Sequence, residues 1–153
     1  MKLLKEDLDF KSENLEKNLK GCKEVVVFGA TIGTGMDFLI GKYGKISPVK
    51  GLMFQAIGSE RIESLCDELC KYLSEENGGL RPRFSPGYGD FTLDNQKNIF
   101  KLLDCSRKIG LTLNDSLLMS PTKSVTAVAG ISKDCDEKSG CEICLKTDCA
   151  YRR

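Results

Sequence analysis

Leu80-Arg81-Pro82-Arg83-Phe84-Ser85-Pro86-Gly87-Tyr88-Gly89-Asp90 is the segment around which the rest of the chain is best read. Leu80 to Phe84 reads as a short strand. It runs into a loop stiffened by Pro82 and Pro86 and opened by Gly87 and Gly89. Proline fixes φ, and glycine admits dihedrals and close approaches closed to other residues. A rigid loop with Arg81, Arg83, Ser85 and Tyr88 offers donors for a carboxylate and a ring for stacking. Arg83 suits a carboxylate because its planar fork can meet both oxygens. The same residues also fit a structural turn whose arginines face solvent, and spacing alone leaves both readings open.

Upstream, residues 12–20 read as a short helix with Ser12 as N-cap and Gly21 as its stop. Glu24-Val-Val-Val-Phe28 is short, apolar and β-branched, which predicts a buried strand. Ala30 to Gly35 turns the chain, and a helix over 36–43 places Met36, Leu39, Ile40 and Tyr43 on one face. Pro48 opens the longest amphipathic pattern, which runs to Asn77-Gly78-Gly79 with a predicted kink at Gly58-Ser59. Downstream, a helix is expected over 93–103. Short strands are expected over 109–113 and 117–119, and a Val-rich strand over 124–131. Helices interleaved with strands that form no hairpins point to α/β or α+β.

The chain has 153 residues, which as a prior is one domain with a real core. Basic and acidic side chains balance, 23 against 22, so no general attraction to nucleic acid or anionic lipid is expected. No apolar run approaches the ~20 residues that span a bilayer, and residues 1–10 lack the apolar core of a signal peptide. A cytoplasmic location is the default expectation. Histidine is absent, which excludes imidazole acid–base chemistry and histidine metal sites. Gly29-Ala-Thr-Ile-Gly-Thr-Gly35 lacks the glycine order of a dinucleotide turn.

Four of the eight cysteines crowd the last nineteen residues as Cys135, Cys141, Cys144 and Cys149. Thiolates so close in sequence can converge on a soft metal. The spacing predicts an Fe–S cluster, with zinc or free redox thiols as alternatives. The boundary expected from this change of composition divides residues 1–133 from a metal-binding tail over 134–153. Cys22, Cys66, Cys70 and Cys105 read as structural; a second site built from Cys66, Cys70 and Cys105 has weaker support.

Taken in order, four segments resemble the activation domain of cobalamin-dependent methionine synthase in its small stand-alone form. They are Phe28 to Gly35 with Asp37; Gln55-Ala-Ile-Gly-Ser-Glu60 leading into Glu63 and Asp67; Arg83-Phe-Ser-Pro-Gly-Tyr-Gly-Asp90; and Met119-Ser-Pro-Thr-Lys-Ser-Val125. The Arg-x-x-Pro-Gly-Tyr element is the most specific. The resemblance implies an α+β fold with helices packed around a twisted, mainly antiparallel β-sheet, followed by the Cys-rich C-terminal tail. It implies S-adenosylmethionine as ligand, in a shallow groove. Arg83 would hold the ligand carboxylate, and Ser85, Pro86, Gly87 and Tyr88 would shape the pocket. Glu63, or Glu60 if the alignment slips, would pair with the ligand amine. Gln55 stands where relatives often have Asp, and a C-terminal family tyrosine has no counterpart.

The implied role is reductive reactivation of a corrinoid protein, methionine synthase or a related one. Cob(II)alamin on the partner takes one electron from a flavodoxin- or ferredoxin-type donor and is then methylated from S-adenosylmethionine. The chain would be an activation subunit of that methyltransferase system, and the residues supply no proton-transfer group of their own. Two alternatives stand beside it. One is an interaction or chaperone protein for a corrinoid enzyme, without a productive S-adenosylmethionine site. The other is an unrelated zinc-stabilised module.

Overall fold

A computed structural model describes residues 10–132. Its elements are α1 (Glu13–Leu19), β1 (Glu24–Thr31), α2 (Thr34–Ile46), α3 (Pro48–Asn77), α4 (Asn95–Leu103), α5 (Cys105–Ile109), β2 (Thr112–Leu113), β3 (Met119–Ser120) and β4 (Ser124–Ile131). The architecture is α+β, with two small antiparallel pairs, β1–β4 and β2–β3. Among the described residues no helix is long and apolar enough to cross a membrane.

β4 is the organising strand. It pairs with β1 along all eight residues, from Glu24 opposite Ile131 to Thr31 opposite Ser124. On its other edge it takes the 80–84 segment through bridges at Leu80–Ile131 and Phe84–Val128. Phe84 N donates to Val128 O at 2.8 Å and Val128 N donates back to Phe84 O at 2.9 Å. Pro82 has no N–H to give, so the third strand stays a pair of bridges rather than a ladder.

Side chains alternate across a strand, and the two faces of this sheet carry two cores. Val27, Val128 and Phe84 face Leu15, Phe91 and Ile99 from the α1 and α4 side. Val26, Phe28, Ala30, Val125 and Ala127 face Ile62, Cys66 and Leu69 of α3. Arg83, one residue from Phe84, therefore falls on the α3 side.

The elements expected from sequence mostly stand, but β2 and β3 form a short hairpin where none was expected, and two further corrections apply. The helix does not break at Gly58, where a kink was expected, and α3 runs unbroken for 30 residues. Gly58 serves close packing instead, because a Cβ there would lie 2.7 Å from Met36 Cγ. The predicted 109–113 strand begins as helix α5. Asp104, at φ +53°, breaks α4, the chain re-enters a helical turn, and Gly110 at φ +65° ends it.

Three of the segments singled out in sequence form one joint. Asp37 accepts from Thr122 N at 2.9 Å and from the Thr122 hydroxyl. Lys123 Nζ donates to Ser59 Oγ at 2.9 Å, and Ser124 Oγ to Thr31 Oγ1 at 2.8 Å. The 119–125 segment thus ties α2, α3 and β1 together.

α2 packs on the first half of α3 through backbone contact. A Cβ on Gly51 would meet Gly44 Cα at 2.8 Å, and the Tyr43 and Phe54 rings lie 5.1 Å apart beside it. Gly51→Val is expected to lower stability by about 1–3 kcal/mol through overpacking. Gly41→Ala, where a Cβ meets nothing within 4 Å, is expected to raise it by up to ~1 kcal/mol through helix propensity. Denaturant unfolding of both variants checks the pair; equal effects would contradict the hairpin packing.

Candidate functional site

The 85–91 turn is pinned at both ends. Phe84 enters one core and Phe91 is fully buried in the same cluster. Between them, Gly87 N donates to Phe91 O at 2.6 Å, and Tyr88 N to Ser85 O at 3.2 Å. Gly87 sits at φ +99°, in the left-handed region that favours glycine. Asp90 reaches back to α1, accepting from Ser12 Oγ at 2.6 Å, Glu13 N at 2.7 Å and Asn14 N at 3.2 Å. The Ser12 hydroxyl and then these backbone N–H groups hold the Asp90 carboxyl below its usual range. That contribution is present above the ordinary carboxylate pKa and is lost as pH falls through the depressed value. Pro86 is buried, and Tyr88 stands exposed at the tip.

Arg83 lies against α3. Its Nη2 donates to Glu63 Oε2 at 2.7 Å and its Nη1 to Asp67 Oδ1 at 2.5 Å. Cys70 Sγ lies 4.0 Å from Nη1. The guanidinium is mostly covered, with 22% of its side chain exposed, while Glu63 and Asp67 remain open to solvent at 57% and 68%. Burial pulls the Arg83 pKa down and the two carboxylate hydrogen bonds push it up; the net shift is upward, so Arg83 stays charged. Pairs this exposed contribute little to stability, on the order of 1 kcal/mol or less each. One cation and two carboxylates leave the cluster with a net charge of about −1.

Of the residues expected at the site, the structure joins Arg83 to Glu63 directly. Glu60 lies on exposed α3, three residues before Glu63, and does not engage the guanidinium. Ser85, Pro86, Gly87 and Tyr88 form the turn that follows Arg83. Asp67 and Cys70 are additions that sequence reasoning missed, although their spacing of four and seven from Glu63 was a readable signal. Arg81 holds its strand position through N to Gly130 O at 2.7 Å, and its Nε is buried without a hydrogen-bond partner among the described residues. A separate cleft of about 290 Å³, lined by Thr31, Ile32, Arg61, Ser64, Leu65 and Glu68, opens on the other flank of α3.

The expectation of an Fe–S or zinc cofactor is corrected. Among the described residues no group of three or more Cys, Asp or Glu side chains could hold a metal ion. Cys66 and Cys105 are buried in different places, Cys66 under α3 and Cys105 against Gly29. Burial pushes the Cys66 thiol up to about 11 and raises Cys105 as well, so neither offers a thiolate at neutral pH. Cys135, Cys141, Cys144 and Cys149 lie outside the described residues.

Fold and cluster together define a small α+β domain with an arginine held between two carboxylates at the edge of its sheet. The family model of the vitamin B12-dependent methionine synthase activation domain matches residues 58–137. That is more than half of the chain, and the chain belongs to this family. No curated protein matches it. Among solved structures it is similar to one described as the MetH reactivation domain bound to AdoHcy, with a TM-score of 0.64 and 19% identity. The similarity covers 75% of this chain but only 41% of that one, so the chain spans less than half of the related structure.

Thiol accessibility checks the packing around the site. At pH 8 the native protein is expected to alkylate Cys70, which is partly exposed, well before Cys66 and Cys105, which are 0% and 1% exposed. Mass mapping of brief iodoacetamide labelling reads this. Native labelling of Cys66 as fast as Cys70 would contradict the arrangement.

Proposed function

We propose that the chain binds S-adenosylmethionine at the Arg83–Glu63–Asp67 cluster and serves reductive reactivation of a corrinoid protein, methionine synthase or a relative. The observation that carries this reading is an arginine flanked by two carboxylates in a chain of the activation-domain family. The methionine end of the ligand is a zwitterion. Its carboxylate takes the bidentate fork of Arg83, and its ammonium takes Glu63 or Asp67. Arg83 and one of the carboxylates thereby exchange one partner for another, and the other carboxylate, open to solvent, keeps the cluster's remaining negative charge. The ligand's sulfonium adds a further positive charge, which matches the net negative charge of the cluster. The related reactivation-domain structure, described as bound to AdoHcy, supports the ligand class.

The chain's residues bind and orient; the partner's cobalt carries the redox chemistry. Methyl transfer to a reduced cobalt needs the sulfonium held in line with the nucleophile, and positioning of that kind is what a rigid clamp supplies. The turn pinned by Phe84, Phe91 and Asp90 keeps Arg83 and Tyr88 on a fixed backbone. Within this reading Ser85, Pro86, Gly87 and Tyr88 border the ligand. The partner is the corrinoid protein, and a flavodoxin- or ferredoxin-type donor supplies the electron.

Calorimetric titration with S-adenosylmethionine tests the reading. Arg83→Ala is expected to weaken binding by about 10- to 100-fold, in line with ~1.5–3 kcal/mol for hydrogen bonds to a charged group, with its fold intact. AdoHcy, one positive charge poorer, is expected to bind a few-fold more weakly at low salt, and Asp67→Asn should narrow that gap. Equal affinity of wild type and Arg83→Ala would refute the clamp.

A further inference from the structure

Along α3, Val49, Met53, Ala56, Glu60, Glu63, Asp67 and Cys70 follow one another at intervals of four and three. This spacing lines them up on a single face of the helix. The face has two halves. From Glu60 onward it is acidic and meets Arg83. Before Glu60 it is apolar and, among the described residues, uncovered: Val49 is 70% exposed, Met53 59%, and flanking Leu52 and Ile57 72% and 52%. α2 packs on a different side of α3, through Gly51 and Gly58, and leaves this stripe open. Ile46 at the corner of the hairpin is also exposed. These side chains present on the order of 500 Å² of apolar surface, a size that is often functional on a monomer. Residues 38–59 contain Lys42, Lys45 and Lys50 and no acidic residue, in a chain otherwise balanced in charge. Lys42 and Lys50 both sit near the Tyr43 ring, at 5.6 and 5.8 Å from its centre.

We propose that this apolar, lysine-bordered half of the α3 face is where the corrinoid protein docks, through an apolar patch edged by carboxylates. The proposal rests on the function proposed above, because the acceptor protein must approach the ligand held at Arg83. A standard interface of ~800 Å² per partner is a disc on the order of 16 Å in radius. Ten residues of helix, from Glu63 back to Met53, span ~15 Å. A protein centred over the clamp therefore reaches Met53 at its rim, and one centred between the clamp and the stripe covers both. A second copy of this chain fits less well: two such stripes together bury only ~1,000 Å², the lower limit for a specific dimer.

The test uses the full chain with cob(II)alamin-loaded methionine synthase as probe, and reads three quantities: affinity for that protein, affinity for S-adenosylmethionine, and melting temperature. Leu52→Glu combined with Met53→Glu is expected to weaken the protein–protein affinity at least ~10-fold. S-adenosylmethionine affinity and melting temperature should stay unchanged, since both side chains are exposed. Lys45→Glu with Lys50→Glu should weaken docking too, and wild-type docking should weaken as salt rises. Undiminished affinity of the Leu52/Met53 variant would overturn the proposal. So would a wild-type dimer that the variant dissolves, or loss of binding to anionic vesicles with corrinoid-protein affinity intact. A wild type that binds S-adenosylmethionine but never the corrinoid protein overturns the docking surface alone. A wild type that does not bind S-adenosylmethionine overturns the function on which it rests.

Discussion

The reciprocal pair of hydrogen bonds between Phe84 and Val128 is the constraint on which the site depends. β4 is buried on nearly every residue and already holds β1 on one edge. The 80–84 segment takes the other edge and inherits the alternation of the sheet. Phe84 must face the α1 and α4 core, so Arg83 must face α3. A slip of one residue would exchange them, placing a charged guanidinium in the apolar cluster with Phe91 and Ile99. The register is thus fixed by the cost of the alternative, and the position of the arginine follows from the packing of its neighbour.

The cluster formed in this way has little structural value. Exposed ion pairs in high dielectric are weak, and nothing in the core leans on Glu63 or Asp67. An arginine that is mostly covered and permanently charged is held by two solvent-facing carboxylates, and in the function proposed above these are the partners it exchanges for ligand. The α3 helix supports this economically. Its buried face, through Ile62, Cys66 and Leu69, is fixed to the sheet, so the adjacent face carries its charges at defined heights.

Much of this was legible in the sequence, for reasons that differ by element. The intervals of three and four between Ile62, Cys66, Leu69 and Leu73, closed by Gly78, announced α3. The Val-rich run at 124–131 announced β4. The Arg-Pro-Gly-Tyr loop singled out Arg83 as a candidate, while its chemistry alone left a structural turn equally open. What was not legible is tertiary. Gly58 looked like a kink because packing against Met36 cannot be seen locally, and the 109–113 strand hid a helical turn that depends on the left-handed Asp104. Asp67 was passed over because the second carboxylate of the clamp is chosen by the register of the 80–84 segment, which no local pattern carries. The metal expectation arose from thiol spacing alone; of the cysteines described in the structure, Cys66 and Cys105 are buried packing groups and Cys22 and Cys70 are partly exposed.

The decisive measurement is a structure of the chain with S-adenosylmethionine bound. The ligand carboxylate is expected on the Arg83 guanidinium and its amine on Glu63 or Asp67, with at least one of the present ion pairs opened. A ligand seated in the cleft of Thr31, Arg61 and Glu68, with Arg83 still joined to both carboxylates, would contradict it.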